Sequence, residues 1–330
     1  MNFNNLKKTF IIAEIGNNHE GSFGVACKLI NEAKKAGADA VKFQTFKTEY
    51  YVNQNDKKRF KKLKEFELSY EDFAKLSVVA KKNNLKFIST PFDIKSAIFL
   101  NNIVDFFKIS SGDNNYFDLI KVVLGFNKPT FISTGFLNFK EIKNLIKFTK
   151  KNKFDTSKLC LFHCVSDYPV SDEQANLLSI KFLKDKLSLE IGYSDHTIGI
   201  EAPILAISLG AKIIEKHFTL DNNFSKFRDH KISLNPNDMK QLVTSIRKAE
   251  SMLGLLEKKI QKCEEKNLIN VRRSIYANYD INKNSILNNE IIKIIRPANF
   301  YKPNDINKIL NKKIKKNIKN NQAILPEFFK

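Results

Sequence analysis

From residue 10 to about residue 255, short runs rich in β-branched and aromatic residues alternate with stretches whose apolar positions recur every three or four residues. The first pattern predicts strands over 10–14, 40–44, 86–89, 106–109, 130–133, 159–163, 189–193 and 212–217. The second predicts helices over 25–36, 70–83, 94–100, 118–123, 139–151, 174–184, 200–209 and 236–253. Leu29, Ile30, Ala33 and Ala36 show the helical spacing, and Gly37 and Gly210 follow two of these helices as C-terminal stops. Eight strand–helix repeats over roughly 250 residues fit a (β/α)8 TIM barrel. A doubly wound open sheet is the alternative, but it normally uses fewer repeats.

The texture changes after residue 255. Residues 256–270 are dense in charge and read as a linker or a solvated helix end. Residues 271–330 then place strand-like runs at 274–280, 286–297 and 305–314 between short turns rich in Asn and Lys. A unit of roughly 60 residues is small for independent stability, so docking onto its own barrel or a partner subunit is expected. The division predicted is 1–255 for the barrel, 256–270 for the linker and 271–330 for a small C-terminal domain.

With 42% hydrophobic residues, the 330-residue chain can bury a large core, which excludes disorder and disulfide-stapled miniature scaffolds. No apolar run approaches the roughly 20 residues that span a bilayer. The formal charge is +21, yet only six of the 56 basic residues are arginine. Arginine supplies forked phosphate and base recognition, so this lysine surplus reads as a soluble, compositionally biased surface and argues against specific nucleic-acid binding, while the positive field favours an anionic substrate. Cys27, Cys160, Cys164 and Cys263 lack zinc-type spacing and fit a reduced, cytoplasmic chain, with Cys160 and Cys164 as buried packing residues.

Candidate chemistry gathers at the carboxyl ends of the predicted strands, where a barrel carries its active site. Glu14 follows the first strand, Lys42 and Gln44 lie in the second, and Thr90 follows the third. Ser110, Ser111 and Asp113 follow the fourth, and Ser133 and Thr134 the fifth. His163 closes the sixth, with Tyr168 beyond; Ser194, Asp195 and His196 follow the seventh, and Glu215 and His217 end the eighth. Two-residue alternation sets Lys42 and Gln44 opposite Val41 and Phe43, so a lysine faces the barrel interior. A buried ammonium needs an anion, either a structural carboxylate such as Glu14 or a bound phosphate or carboxylate. Lys108 repeats the pattern. With the hydroxyls of Thr90, Ser111 and Ser133, these lysines could cradle a phosphorylated substrate. Of the histidines His19, His163, His196, His217 and His230, the pair His196 and His217 ends neighbouring strands and could converge on one divalent ion.

Several segments resemble the signatures of sialic acid (N-acetylneuraminate) synthases. They are Ile11–Gly21 and Gly37–Thr45, Phe87–Phe92, Lys108–Gly112, Ile132–Gly135, Tyr193–Thr197 and Glu215–Thr219. The stretch from Arg272 to Ile318, with Arg296-Pro297, resembles the antifreeze-like (SAF) domain of the same family. The resemblance implies condensation of phosphoenolpyruvate with an N-acylated mannosamine-type aldose, N-acetylmannosamine first, to give a nine-carbon 2-keto acid and phosphate. Legionaminic and pseudaminic acid synthases, which use dideoxy-diacetamido hexoses, share the scaffold. By the same resemblance His196 and His217 would bind Mn2+ or Mg2+. Lys42, Thr90, Lys108, Ser111, Ser133 and Ser194 would hold phosphate and carboxylate. Glu14, Gln44, Asp113, Tyr168 and Asp229 would position the sugar or handle protons and water. Arg296 would reach the N-acyl group from the other subunit of a domain-swapped homodimer. Ser110, Asp113, Ser166 and the Ala298-Asn299-Phe300 continuation depart from the family pattern and bear on which sugar is taken. A barrel aldolase using Lys42 or Lys108 as a Schiff base, and a basic binding protein, are the competing readings.

Overall fold

The computed structural model describes residues 3 and 6–330, and the chain divides into two compact units, Met1–Gly254 and Leu255–Lys330. In the first unit eight parallel strands close in sequence order into a barrel. They are β1 (Phe10–Gly16), β2 (Ala40–Thr45), β3 (Lys86–Pro91), β4 (Phe106–Ile109), β5 (Thr130–Ser133), β6 (Leu159–Cys164), β7 (Glu190–Asp195) and β8 (Ile213–His217). Between β1 and β3 lie α1 (Phe23–Ala36), α2 (Thr48–Tyr51), α3 (Lys57–Phe66) and α4 (Tyr70–Lys82). Onward come α5 (Ile94–Leu100), α6 (Phe117–Gly125), α7 (Phe139–Lys151), α8 (Leu178–Lys186) and α9 (Glu201–Ser208), then α10 (Arg228–Ile232) and α11 (Pro236–Leu253). No described helix is long and apolar enough to cross a membrane.

The predicted strands and most of the predicted helices stand within a few residues of these bounds. Gly37 and Gly210 adopt φ of 90° and 102°, which only glycine takes without strain, and each stops its helix. The helix predicted over 174–184 begins later. Asn176 turns left-handed at φ 45°, so a 3-10 turn at Asp172–Gln174 precedes α8. The pair α2 and α3, between β2 and α4, was not anticipated. Asp56 caps α3 by accepting the Arg59 backbone N–H at 3.2 Å.

Two apolar layers give the barrel its body. Outside the strands, Val41, Phe43, Phe87, Ile109, Ile132 and Leu161 pack against the inner faces of the helices. Inside, Phe10, Ile12, Ala40, Ile88, Phe106, Phe131, Cys160, Phe162 and Ile213 fill the lower barrel, and Phe3 closes it with its ring 5.0 Å from that of Phe131. Phe3, Phe10, Phe106, Phe131 and Phe162 supply the largest side chains of this filling.

In the second unit, β9 (Ser274–Ala277) and β10 (Ile292–Ile295) pair antiparallel, and a core of Ile275, Leu287, Ile309, Ile314, Ile324 and Phe328 forms around them. Residues 256–270, expected as a linker, include the short α12 (Lys262–Glu265) and the start of α13 (Leu268–Val271). Part of the strand-like run at 305–314 is instead a 3-10 helix, Pro303–Lys308. Pro303 sets its first turn, and Asp305 accepts the Lys302 N–H at 2.9 Å.

Candidate active site

The inward positions change character two residues further along each strand. Above the apolar floor stand Glu14, Lys42, Thr90, Lys108, Ser133, Cys164, Ser194 and Glu215, which line one cavity of 770 Å3 at the C-terminal mouth of the barrel. Register places Glu14 between Lys42 on β2 and His217 on β8, and Ser194 between Cys164 and Glu215. The other barrel-borne candidates, Gln44, Ser111, Asp113, Tyr168, His196, His217 and Asp229, line the same cavity. Arg296 belongs to the second unit, directly after β10.

Four charges form the inner wall. The Lys42 ammonium lies 2.9 Å from Glu14 and 3.6 Å from Glu215, and Lys108 lies 2.8 Å from Glu215. The structural carboxylate entertained for Lys42 is therefore present, and it is Glu14. Glu215, which also accepts the Ser194 hydroxyl at 3.0 Å, bridges the two lysines. Burial raises the Glu14 pKa more than Lys42 lowers it. On Glu215 burial is outweighed by Lys108 and Lys42, and the carboxyl is held below its usual range. Burial likewise depresses Lys108, whereas on Lys42 the two carboxylates overcome it and raise the pKa.

Hydroxyls and turns complete the wall. Asn114, buried and absent from the sequence-based candidates, donates to the carbonyls of Ser133 at 3.1 Å and Gly135 at 2.8 Å, tying the turn after β4 to the turn after β5. Ser110 hydrogen-bonds Asp113 within that first turn, and burial raises the Asp113 pKa against this bond. Asn17, also missed, donates from its side-chain amide to Gln44 Oε1 at 2.8 Å. Cys164 is part of the cavity wall as well as being buried. Its sulfur lies 3.6 Å from the Ser111 hydroxyl and 3.8 Å from His196 Nδ1.

The two imidazoles stand together, ring centroids 5.5 Å apart. His196 donates through Nδ1 to the Val165 carbonyl at 2.8 Å, which leaves Nε2 with a free lone pair. Burial works against charge on His196, but Cys164 and that carbonyl outweigh it and raise the pKa. Burial, with His196 and Lys42 adding to it, holds His217 well below the ordinary imidazole range. Among the described residues the buried Nδ1 of His217 has no hydrogen-bond partner. Tyr168 lies 4.1 Å from the His196 ring, and the Arg228 guanidinium stacks 4.3 Å over Tyr168 while its Nε meets Asp229 at 3.2 Å. Among the described residues no group of three or more His, Cys, Asp or Glu side chains is arranged to hold a metal.

Behind the imidazoles, Lys216 and Asp195 form an ion pair with no solvent exposure. Asp195 also accepts from the Tyr193 hydroxyl and from the Thr197 N–H and hydroxyl, each at 2.9 Å. His163 faces outward, bonds the Ala175 carbonyl at 2.8 Å and stacks on Tyr193. At the mouth, α3 contributes Arg59 and Lys62, and the segment after β8 contributes Lys226 and Arg228.

A family model described as the NeuB family matches residues 29–258. The N,N'-diacetyllegionaminic acid synthase of Campylobacter jejuni is 38% identical over 333 residues, covering 97% of this chain and 99% of that protein. The pseudaminic acid synthase of the same organism is 36% identical over 337 residues, covering 98% and 97%. The crystal structure of an N-acetylneuraminic acid (sialic acid) synthetase from Leptospira borgpetersenii, in complex with citrate, is 36% identical. It superposes with a TM-score of 0.75 over 79% of this chain and 90% of that one.

Proposed function

The chain belongs to the NeuB family, and on that footing we propose that it condenses phosphoenolpyruvate with the open-chain aldehyde of an N-acylated hexosamine. The products are phosphate and a nine-carbon 2-keto acid. The observation that carries this reading is the convergence of two lysines, two glutamates, a set of hydroxyls and two adjacent imidazoles on one barrel cavity. Lys42 and Lys108, with Thr90, Ser111, Ser133 and Ser194, supply donors for a phosphate and a carboxylate. Gln44, Asp113, Tyr168 and Asp229 face the same space and suit a polyhydroxyl sugar.

Glu14, whose pKa burial raises, is placed to hold or pass a proton between Lys42 and His217. Carbon–carbon bonding joins C3 of the enol phosphate to the aldehyde carbon. Water then adds at C2, and phosphate leaves as the keto group forms.

His196 and His217 fit a divalent ion such as Mn2+ or Mg2+. One ring has its Nδ1 committed to a backbone carbonyl, and the other is held neutral with a buried nitrogen unpartnered among the described residues. When bound, such an ion supplies a Lewis acid that polarises the aldehyde.

The sugar is an N-acylated mannosamine-type aldose. N-acetylmannosamine is the simplest member, and the diacetamido hexoses suited to legionaminic and pseudaminic acid synthesis are the alternatives. The test is incubation with phosphoenolpyruvate, Mn2+ and a panel of N-acyl hexosamines, followed by phosphate assay and mass analysis of the keto acid. Release of phosphate that depends on both sugar and ion is expected. Replacing His196 or His217 by alanine abolishes turnover and lowers Mn2+ affinity measured by calorimetry. Phosphate release without sugar, or a borohydride-trapped adduct on Lys42 or Lys108, overturns the reading.

A further inference from the structure

The interior of the cavity is poorly suited to drawing an anion out of solution. Lys42 and Lys108 each lie against a buried carboxyl group, Glu14 or Glu215, so neither inner lysine offers an unpartnered charge to an anion in solution. Phosphoenolpyruvate, the substrate of the reading above on which this inference rests, carries close to three negative charges at neutral pH. The field that reaches it from outside must come from elsewhere.

The mouth supplies it. Arg59 and Lys62 on α3 face Lys226 and Arg228 on the segment after β8, and all four are exposed side chains lining the same opening. Arg228 is paired with Asp229. Among the described residues Lys62 and Lys226 take part in no ion pair, although the chain has acidic residues enough to pair many other lysines.

Lys62 is braced by aromatic faces instead. Its ammonium sits 4.8 Å over the Phe227 ring and 5.6 Å over Phe66, whose own rings meet edge-on at 5.1 Å. One contact thus joins the two elements that carry the cations and holds the charge without a carboxylate partner among the described residues. The carboxylates that share the opening, Asp113, Asp167 and Asp229, are partly committed: Asp113 to Ser110 and Asp229 to Arg228.

We propose that Arg59, Lys62, Lys226 and Arg228 form a cationic collar that captures phosphoenolpyruvate from solution and hands it to the ion-paired interior, taking no part in bond making. A neutral sugar gains nothing from such a field, so the two substrates respond differently. The test compares the wild-type holoenzyme with Lys62→Gln/Lys226→Gln across ionic strength. A control, Lys121→Gln/Lys240→Gln, removes the same charge from exposed positions on α6 and α11.

At about 20 mM salt the collar variant loses about tenfold in kcat/KM for phosphoenolpyruvate, with kcat and the sugar KM unchanged. The gap closes at about 0.5 M salt, where screening acts within a few ångströms. The control keeps the wild-type salt slope. Equal loss in the control, no loss in the collar variant, or a loss that persists at high salt overturns the collar. Wild-type enzyme that neither binds nor consumes phosphoenolpyruvate in calorimetry and phosphate assay overturns the proposed reaction itself, and the collar with it.

Discussion

Replacing Lys216 by methionine tests whether the imidazole pair rests on a buried electrostatic support. Lys216 and Asp195 lie behind His217 and His196 with no solvent exposure, and the ammonium also donates to the Thr197 carbonyl. Methionine keeps an unbranched side chain one atom shorter and removes the charge. Asp195 then retains three donors, from Tyr193 and Thr197, but no counter-ion. Breaking a buried pair from one side costs about 3–5 kcal/mol, and the surviving hydrogen bonds place this case near 3. For a unit of this size the melting temperature falls by roughly 6–12 °C. Urea unfolding of Lys216→Met, Asp195→Asn and the double variant gives the coupling directly, and about 2 kcal/mol is expected. A single-variant loss under about 1 kcal/mol, or strictly additive losses, would refute the reasoning.

Three further outcomes follow from the geometry. His19 is buried with Nε2 unpartnered among the described residues, and burial holds its pKa at about 4. Its contribution to stability is complete above pH 6.5 and disappears as pH falls toward 4, worth up to about 3 kcal/mol. Urea midpoints from pH 7 to 4 therefore fall less steeply in His19→Gln than in wild type; equal slopes exclude the assignment. A Cβ on Gly192 would lie 2.5 Å from the Phe162 ring and 2.9 Å from the Ile213 carbonyl, so Gly192→Ala destabilises by about 1–3 kcal/mol in a thermal scan. A Cβ on Gly135 would meet the Ser166 and Ser111 hydroxyls at 2.4 and 2.5 Å. Gly135→Ala therefore raises KM for phosphoenolpyruvate about tenfold, equivalent to about 1.4 kcal/mol, and an unchanged KM counts against Ser111 as an anion ligand.

Much of the barrel was legible in the chain because parallel strands buried on both faces read as short apolar runs with punctual stops. Alternation alone oriented Lys42 and Gln44 correctly. Position at a strand end was a weaker guide than parity. His163 sits at the rim but falls on an outward step of β6, while Cys164, one residue on, faces the cavity.

The residues that local reading missed are those whose partners lie far along the chain. Asn114 binds carbonyls about twenty residues away, and Lys216 meets Asp195 across two strands. No local pattern distinguishes them from solvated polar residues. Helix α3 did leave a trace, in the Asp56 cap and the spacing of Phe60, Leu63 and Phe66, but the density of lysine around it masked the amphipathic signal.

Lys42 already has a tenant in Glu14, and that contact sets how any incoming anion is received. A guest must compete with a resident carboxylate 2.9 Å away, so measured affinity is a difference between two attachments and understates the grip on the guest. The same arrangement steadies the barrel itself, because its lysines never face the low-dielectric interior alone. Binding here is an exchange of partners, with tightness set by how readily Glu14 lets go.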